Sequence, residues 1–230
     1  MDTAHLLHWQ QSRLGRRVLA LEQLQLRTVM PEIFGRHMLQ IGNWGRGVRL
    51  LASSRMLHCA VLGNCEDPTS QARIDLEQLP LMTHSVDSIL LPHTLEFAAS
   101  PHQLLRELDR VLTARGRLVV LGFNPWSLWG LREALGFHHR GYPAGGRLRS
   151  VGRLCDWLTL LDFEPVDVRR FGILLPGMSR FHRSPLLAAY MVVAHKRVIP
   201  LTGVRSPEKV RKSPAVGATV PVSRIRVGDL

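Results

Sequence analysis

Two polar turns in the sequence carry residues that could recognise a nucleotide-like ligand. Asp75 follows a short apolar segment, and its carboxylate could accept hydrogen bonds from an exocyclic amine. The backbone N–H of Leu76 comes next and could meet a ring nitrogen. Together these groups are a common physical means of recognising adenine. An aspartate that only stabilises a turn explains Asp75 equally well.

His93 and Glu96 follow a second apolar segment and form the other candidate pair. A histidine there could act as a base, orient another group or offer a ring for stacking. The alternative is a histidine that only closes a hydrogen bond within its own loop. Since the chain has 11 histidines, the residue type alone does not decide between these interpretations.

Glycines mark the loop that follows the first apolar segment, which reads QIGNWGRG over residues 40–47. Glycine lets the backbone approach a ligand closely, and a helix start offers N–H groups without intrahelical partners. The order is GxxGxG rather than the GxGxxG of dinucleotide-binding loops. A plain tight turn therefore explains the loop as well as a ligand site does. Asn124-Pro125-Trp126 predicts another turn, with Trp126 and Trp129 packing or lining a substrate cleft.

The elements that would position these residues alternate between apolar strands and amphipathic helices. Strands are predicted at residues 37–42, 56–62, 72–75, 88–91, 117–122, 163–171 and 189–195. Helices are predicted at 4–29 with a break near Gly15, at 48–55, from Pro101 to Gly116 with Ser100 as cap, at 128–135 and at 150–161. This alternation favours a mainly parallel sheet covered on both faces, with the last two strands available for an antiparallel edge. Ligands of such sheets bind outside the carboxyl ends of the strands, where the candidate turns lie.

The composition of the chain limits the fold classes and the functions that the sequence allows. A chain of 230 residues with 45% hydrophobic residues is typical of one α/β domain with a tail. No apolar run reaches membrane-spanning length, and the start lacks the pattern of a signal peptide. Cys59, Cys65 and Cys155 show no metal-ligand spacing, which favours buried thiols in a reducing cytoplasm. Neither a nucleophile elbow nor a phosphate-binding Walker loop is present, which argues against hydrolases and nucleotide triphosphatases.

The net charge of +12 is concentrated partly in the last segment, where residues 196–230 hold eight basic and two acidic residues. A solvated, disordered tail explains this excess, and so does a segment that binds nucleic acid. The predicted organisation is an N-terminal helical cover at 1–34, a central domain at 35–197 and a basic tail at 198–230.

The central domain as a whole resembles the type 11 family of class I S-adenosylmethionine-dependent methyltransferases. The motifs that carry the resemblance are MLQIGNWGRG, DLEQLPL, SVDSILL, HTLEF, LLRELDRVLTARGRLVV, RLRSVGRLCDWLTLLDFEPVDVRRF and AAYMVVAHKR. The resemblance implies a Rossmann-like, doubly wound α/β fold with a seven-stranded mixed sheet and an antiparallel last strand. It also implies S-adenosyl-L-methionine as cofactor and transfer of its methyl group to a small-molecule acceptor.

Carried over by position, the resemblance assigns roles to nine residues. Those at the methionine end are Gln40, Gly42, Asn43, Trp44 and Gly45; Asn64 would meet the ribose, Asp75 and Leu76 the adenine, and His93 the sulfonium and the substrate. His93 is thus the one catalytic candidate. The sequence departs from the family at three of these positions, because the family usually has an acid at 40, a glycine at 44 and an acid near 64.

These departures keep two other functions open. One is a binding module that retains the fold but not the activity, and the other is a methyltransferase acting on nucleic acid through the basic tail. Neither the acceptor nor the oligomeric state is indicated by the sequence.

Overall fold

The computed structural model describes residues 8–42, 44–45, 48–63, 72–127, 130–131, 146–172 and 187–197. Its strands are β1 (His37–Ile41), β2 (His58–Gly63), β3 (Ala72–Arg73), β4 (Val86–Pro92), β5 (Leu112–Phe123), β6 (Phe163–Phe171) and β7 (Ala189–Lys196). Its helices are α1 (Arg13–Val29), α2 (Val48–Leu51), α3 (Thr94–Phe97), α4 (Pro101–Val111) and α5 (Val151–Leu160), with a 3-10 turn at Met30–Glu32.

The strands form one mixed sheet in the order β3-β2-β1-β4-β5-β7-β6. Neighbours from β3 to β5 pair in parallel, whereas β7 is antiparallel to both β5 and β6. The seven strands of the described ranges confirm the predicted doubly wound fold and its antiparallel edge. The strand order reverses between β1 and β4, so the expected ligand position is the carboxyl end of this strand pair.

Helices cover both faces of the sheet, each over its own apolar cluster. On one face α4 and α5 bury a leucine-rich stripe against the strands. On the other face α1 and α2 pack over Met38, Leu90 and Val119. The predicted cover helix therefore lies on the sheet, while the domain boundaries at 34 and 197 stay predictions. Within the described ranges, no helix combines the length and apolarity needed to cross a membrane.

The first helix breaks earlier than the sequence predicted. Ser12 is the N-cap of α1, and its hydroxyl oxygen accepts a hydrogen bond from the N–H of Gly15 at 3.0 Å. The predicted break near Gly15 is therefore confirmed and lies at Ser12, while Gly15 itself is inside the helix. Glycine is needed there because a Cβ atom would collide with the carbonyl oxygen of Trp9 in the preceding segment.

The junction of α4 and β5 also differs from the prediction. The helix ends at Val111, and Leu112 turns directly into an extended strand that contains Gly116. Leu112 is fully buried, as its place in the apolar stripe predicted, but it is buried as a strand residue paired with Val86. Ser100 precedes α4 without a hydrogen bond from its side chain to the helix, so Pro101 alone marks the start.

Two side chains expected in the interior lie at the surface. Cys59 is exposed, because the first two residues of β2 lie outside the buried part of the strand, which begins at Val61. Trp126 is 73% exposed. It belongs to a turn in which the Asn124 side-chain oxygen accepts a hydrogen bond from the Trp126 N–H at 3.2 Å, which confirms the turn but not the packing role. Trp129 lies outside the described residues.

Candidate functional site

The carboxyl ends of β1 and β4 are joined directly by protein contacts. The hydroxyl of Thr94 donates a hydrogen bond to the carbonyl oxygen of Ile41, the last residue of β1. Gly42 follows with a φ of 105°, and a Cβ atom there would collide with the Thr94 hydroxyl. Gly45 has a φ of 70° and lies against Leu19 of α1. Both glycines are therefore required by packing within the chain itself.

Gln40 lies fully buried beneath this loop and holds it in place. Its side-chain amide N–H groups donate to the carbonyl oxygens of Trp44 at 2.8 Å and Gly42 at 3.1 Å. Its amide oxygen is buried and has no hydrogen-bond donor within the described part of the chain. A carboxylate at position 40 could not donate these hydrogen bonds to the carbonyl oxygens of Trp44 and Gly42. Glutamine at this position thus holds the loop through its amide N–H groups, and its amide oxygen remains as an acceptor for a further hydrogen bond.

Trp44 turns its indole into the interface between the loop and α1, where it is 2% exposed. The indole N–H donates to Glu22 Oε2 at 2.7 Å. Its ring centroid lies 4.2 Å from that of His93, and the rings of Trp9 and Phe123 lie within 5.6 Å. Trp44, which stands where the family has a glycine, is therefore the centre of an aromatic cluster. Its indole also binds the charged side chain of Glu22.

His93 occupies the turn between β4 and α3 with a left-handed backbone, at a φ of 56°. Its Nε2 lies 2.6 Å from Glu22 Oε1, and its Nδ1 lies 3.3 Å from Glu96 Oε2. The second oxygen of Glu22 accepts from Trp44, and the second oxygen of Glu96 accepts from the backbone N–H of Phe123. All four carboxylate oxygens thus receive a hydrogen bond, and the three charged side chains are at least 97% buried.

The electrostatics of this cluster follow from its two acids and one base. Burial alone would lower the pKa of His93, but the charges and hydrogen bonds of Glu22 and Glu96 outweigh it and raise the pKa to about 9. His93 is therefore an imidazolium at neutral pH, and both ring N–H groups donate to carboxylates. This geometry favours an orienting role over that of a base, and the imidazole ring packs against Trp44 at an interplanar angle of 43°.

The predicted adenine-recognising turn follows β3, the outermost of the parallel strands. The N–H of Ile74 donates to the Gly63 carbonyl oxygen at 2.8 Å, which brings the turn beside the end of β2. Asp75 is exposed, and its Oδ1 accepts from the Glu77 N–H at 2.9 Å, as in an ordinary turn. No described residue donates to its other carboxylate oxygen or accepts from the N–H of Leu76. The turn interpretation of Asp75 is therefore confirmed, and its role toward adenine stays a prediction.

The structure brings five predicted site residues together and places two apart from them. Gln40, Gly42, Trp44, Gly45 and His93 meet at the ends of β1 and β4, whereas Asp75 and Leu76 follow β3. Asn43 and Asn64 lie outside the described residues, so their predicted roles stay predictions.

Glu22 is the site residue that sequence reasoning missed. It comes from α1 and reaches a histidine 71 positions later in the chain. One signal could have found it: Glu22 falls between Val18, Leu19 and Leu26 on the buried stripe of the helix, and it is 0% exposed. An acid within an apolar stripe needs a buried partner.

Comparison with known proteins agrees with this geometry. Residues 35–120 match the family model described as a methyltransferase domain. The uncharacterized protein YafS of Escherichia coli (strain K12) is 38% identical over 211 residues, which cover 87% of this chain and 85% of YafS. The chain belongs to the type 11 family of class I S-adenosylmethionine-dependent methyltransferases.

Solved structures show the same methyltransferase fold. An S-adenosylmethionine-dependent methyltransferase from Thermotoga maritima has a TM-score of 0.66 at 20% identity, with 85% of this chain and 96% of that chain covered. Geranyl diphosphate C-methyltransferase from Streptomyces coelicolor A3(2) has a TM-score of 0.51 at 14% identity, with 81% and 86% covered. The latter was solved with Mg²⁺, geranyl diphosphate and S-adenosyl-L-homocysteine.

S-adenosylmethionine is the cofactor of this methyltransferase, and the residues present fit it. Around Trp44 the described structure leaves the Gln40 amide oxygen and the Trp9 indole N–H buried without partners. Buried polar atoms of this kind are rare and indicate water or a ligand. The amide oxygen is an acceptor for an ammonium group, and the exposed Asp75–Leu76 turn offers an acceptor and a donor for adenine.

Proposed function

We propose that this protein transfers a methyl group from S-adenosylmethionine to a small-molecule acceptor at the carboxyl end of β1 and β4. The observation that carries the proposal is the amide oxygen of Gln40, which is buried and has no partner among the described residues, while its amide N–H groups hold Gly42 and Trp44. The cofactor supplies a methyl group on a sulfonium that is already activated for transfer. The protein then has to bind, orient and exclude water.

Gln40 and the turn of Asp75 and Leu76 are the proposed cofactor contacts at the two ends of the site. Gln40 would accept a hydrogen bond from the amino group of the methionine part, in place of the acid that the family has there. Asp75 would accept from the adenine amine, and the Leu76 N–H would donate to the ring. Asn64 is the proposed ribose contact, and Asn43 completes the loop with Gly42, Trp44 and Gly45.

His93 is proposed as a positioning residue rather than as a base. Its ion pairs fix the aromatic cluster that closes the site from the side of α1. Two carboxylates around one imidazolium also leave a net negative charge, which favours a cationic ligand nearby. Both properties support a site for a sulfonium compound without requiring proton transfer by the protein.

Cofactor binding can be tested by titration calorimetry with S-adenosylmethionine and S-adenosylhomocysteine. We expect both to bind the wild type, and Asp75→Asn to weaken both about fivefold to tenfold, because a charged acceptor is replaced by a neutral one. Asp156→Asn, which changes an exposed carboxylate on α5, is the matched control and should leave both affinities unchanged.

Absence of binding for both compounds at millimolar concentration would refute the proposed function. Methyl transfer itself is tested with S-adenosylmethionine labelled on the methyl carbon and a fractionated small-molecule extract. Label should appear in a compound below about 1 kDa, the range of small-molecule ligands. Label found only in macromolecules would contradict the proposed substrate class.

A further inference from the structure

Two arginines lie over the ring of Trp157 next to the proposed site, and a third lies close to them in the chain. Arg149, which is half-buried, and Arg153 of α5 each place the guanidinium carbon 5.4 Å from the centre of the Trp157 ring. Arg147 is exposed two residues before Arg149. His102 of α4 packs against the same tryptophan, with ring centres 4.1 Å apart. The tryptophan thus holds two guanidinium groups in fixed positions.

These three arginines have no acidic partner among the described residues. Arg110, Arg169 and Arg197 each form an ion pair with a nearby carboxylate. In contrast, no carboxylate of the described residues lies within ion-pair distance of Arg147, Arg149 or Arg153. The cluster is therefore an excess of positive charge held by the fold.

Arg149 shows most clearly that the cluster lacks a partner. Its Nε is buried and has no acceptor among the described residues. Burial lowers the pKa of its guanidinium, and the charges of Arg153 and Arg147 lower it further. A buried donor without an acceptor and like charges at close range both destabilise the protein. An anion bound between the guanidinium groups would remove both effects.

The cluster borders the methyltransferase site through its own backbone. The N–H of Arg147 donates to the carbonyl oxygen of Glu96 at 2.8 Å, and Gly146 packs against the ring of Phe97. Glu96 also holds His93, so the segment that carries Arg147 and Arg149 lies directly beside the carboxyl end of β4.

We infer that Arg147, Arg149 and Arg153 form a binding site for an oxyanion, the carboxylate or phosphate group of the methyl acceptor. The inference rests on the proposed function, because it assigns the anion to the acceptor of that reaction. Guanidinium groups match the planar geometry of carboxylates and phosphates with paired hydrogen bonds. A small anionic acceptor would thus be held beside the cofactor site by three positive charges.

The test uses the full chain and two probes, inorganic phosphate and succinate, titrated by calorimetry at constant ionic strength. We expect at least one probe to bind the wild type and to bind Arg149→Gln about 10- to 100-fold more weakly, since charged hydrogen bonds are lost. Arg149→Lys, which keeps the charge but not the paired geometry, should fall between them. Arg115→Gln removes an exposed positive charge at the start of β5 and should bind like the wild type.

Folding of each variant is checked by circular dichroism, and if Arg149→Gln does not fold, the exposed Arg147→Gln takes its place with the same expectation. Failure of both probes to bind at 10 mM, on the order of the weakest specific affinities, would overturn the inference. Equal affinity in Arg149→Gln and Arg115→Gln would do the same, because it would indicate general charge attraction only.

S-adenosylhomocysteine binding, measured on the same samples, separates this inference from the proposed function. Cofactor binding without arginine-dependent anion binding overturns the oxyanion site alone. Anion binding that depends on Arg149, in a protein that does not bind S-adenosylhomocysteine, supports the site but overturns its assignment to a methyl acceptor.

Discussion

Replacement of Glu22 by glutamine tests the buried ion cluster with one change of charge and almost none of shape. Glu22 holds His93 at 2.6 Å and Trp44 at 2.7 Å, so the variant removes the stronger of the two ion pairs of the imidazolium. We expect the pKa of His93 to fall, because burial then opposes the charged form and only Glu96 supports it.

The size of the effect follows from the pKa of His93. Its value of about 9 in the folded protein, against 6.5 for an ordinary histidine, corresponds to about 3 kcal/mol of stability. Since the folded pKa is raised, this stability is fully present below about pH 6.5 and is lost as the pH rises through about 9. Because Glu96 still supports the imidazolium, Glu22→Gln should destabilise the protein by up to about 3 kcal/mol at pH 6 and by less than half of that at pH 9.5.

The assay is urea unfolding of wild type and variant at pH 6, 7.5 and 9.5. Glu32→Gln is the matched control, because Glu32 is exposed on the 3-10 turn that follows α1. Other titrating groups are shared by all three proteins, so the difference in unfolding free energy isolates the cluster. A difference between Glu22→Gln and the wild type that stays constant from pH 6 to 9.5 would refute the reasoning.

Two glycines should respond to alanine in opposite directions. Gly42→Ala should destabilise the protein by about 2 kcal/mol or more, because the new Cβ collides with the Thr94 hydroxyl and φ is 105°. An unchanged urea midpoint would show that the loop has another conformation. Gly152→Ala, in the exposed part of α5 with nothing within 4 Å of the new Cβ, should stabilise by about 0.5–1 kcal/mol. Destabilisation there would mean that the position has a contact outside the described residues.

The sequence predicts an element correctly where its apolar residues fit the spacing of a strand or of a helix, but not of both. The alternating stretch Phe163–Phe171 is β6 with the bounds that the pattern predicted. At Leu112 the prediction was wrong, because a leucine that continues the helical stripe of α4 can equally begin a buried strand. Apolar burial does not distinguish these cases. Only the pairing of Leu112 with Val86 does, and it joins residues far apart in the chain.

The sequence predicts those site residues that directly follow a recognisable strand. Asp75 and His93 follow strands whose apolar runs are evident in the sequence, and the sheet order brings those ends to one edge. The partner of His93 was not predictable in this way, because Glu22 comes from a helix outside the residues 35–120 that match the family model. Likewise, Lys196 and Arg197 were counted with the basic tail, yet they form ion pairs with Asp109 and Glu164.

The departures from the family pattern at Gln40 and Trp44 depend on each other and on Glu22. An indole at the position of the loop glycine needs an acceptor for its buried N–H, and Glu22 provides it. Glu22 in turn is a buried charge, which requires the imidazolium of His93. Gln40 donates to the carbonyl oxygen of Trp44 and so fixes the residue that carries the indole, which an acid at that position could not do as a donor. The loop after β1 is therefore built together with the N-terminal helix, and a change at any one of these residues leaves a buried polar group of another without its partner.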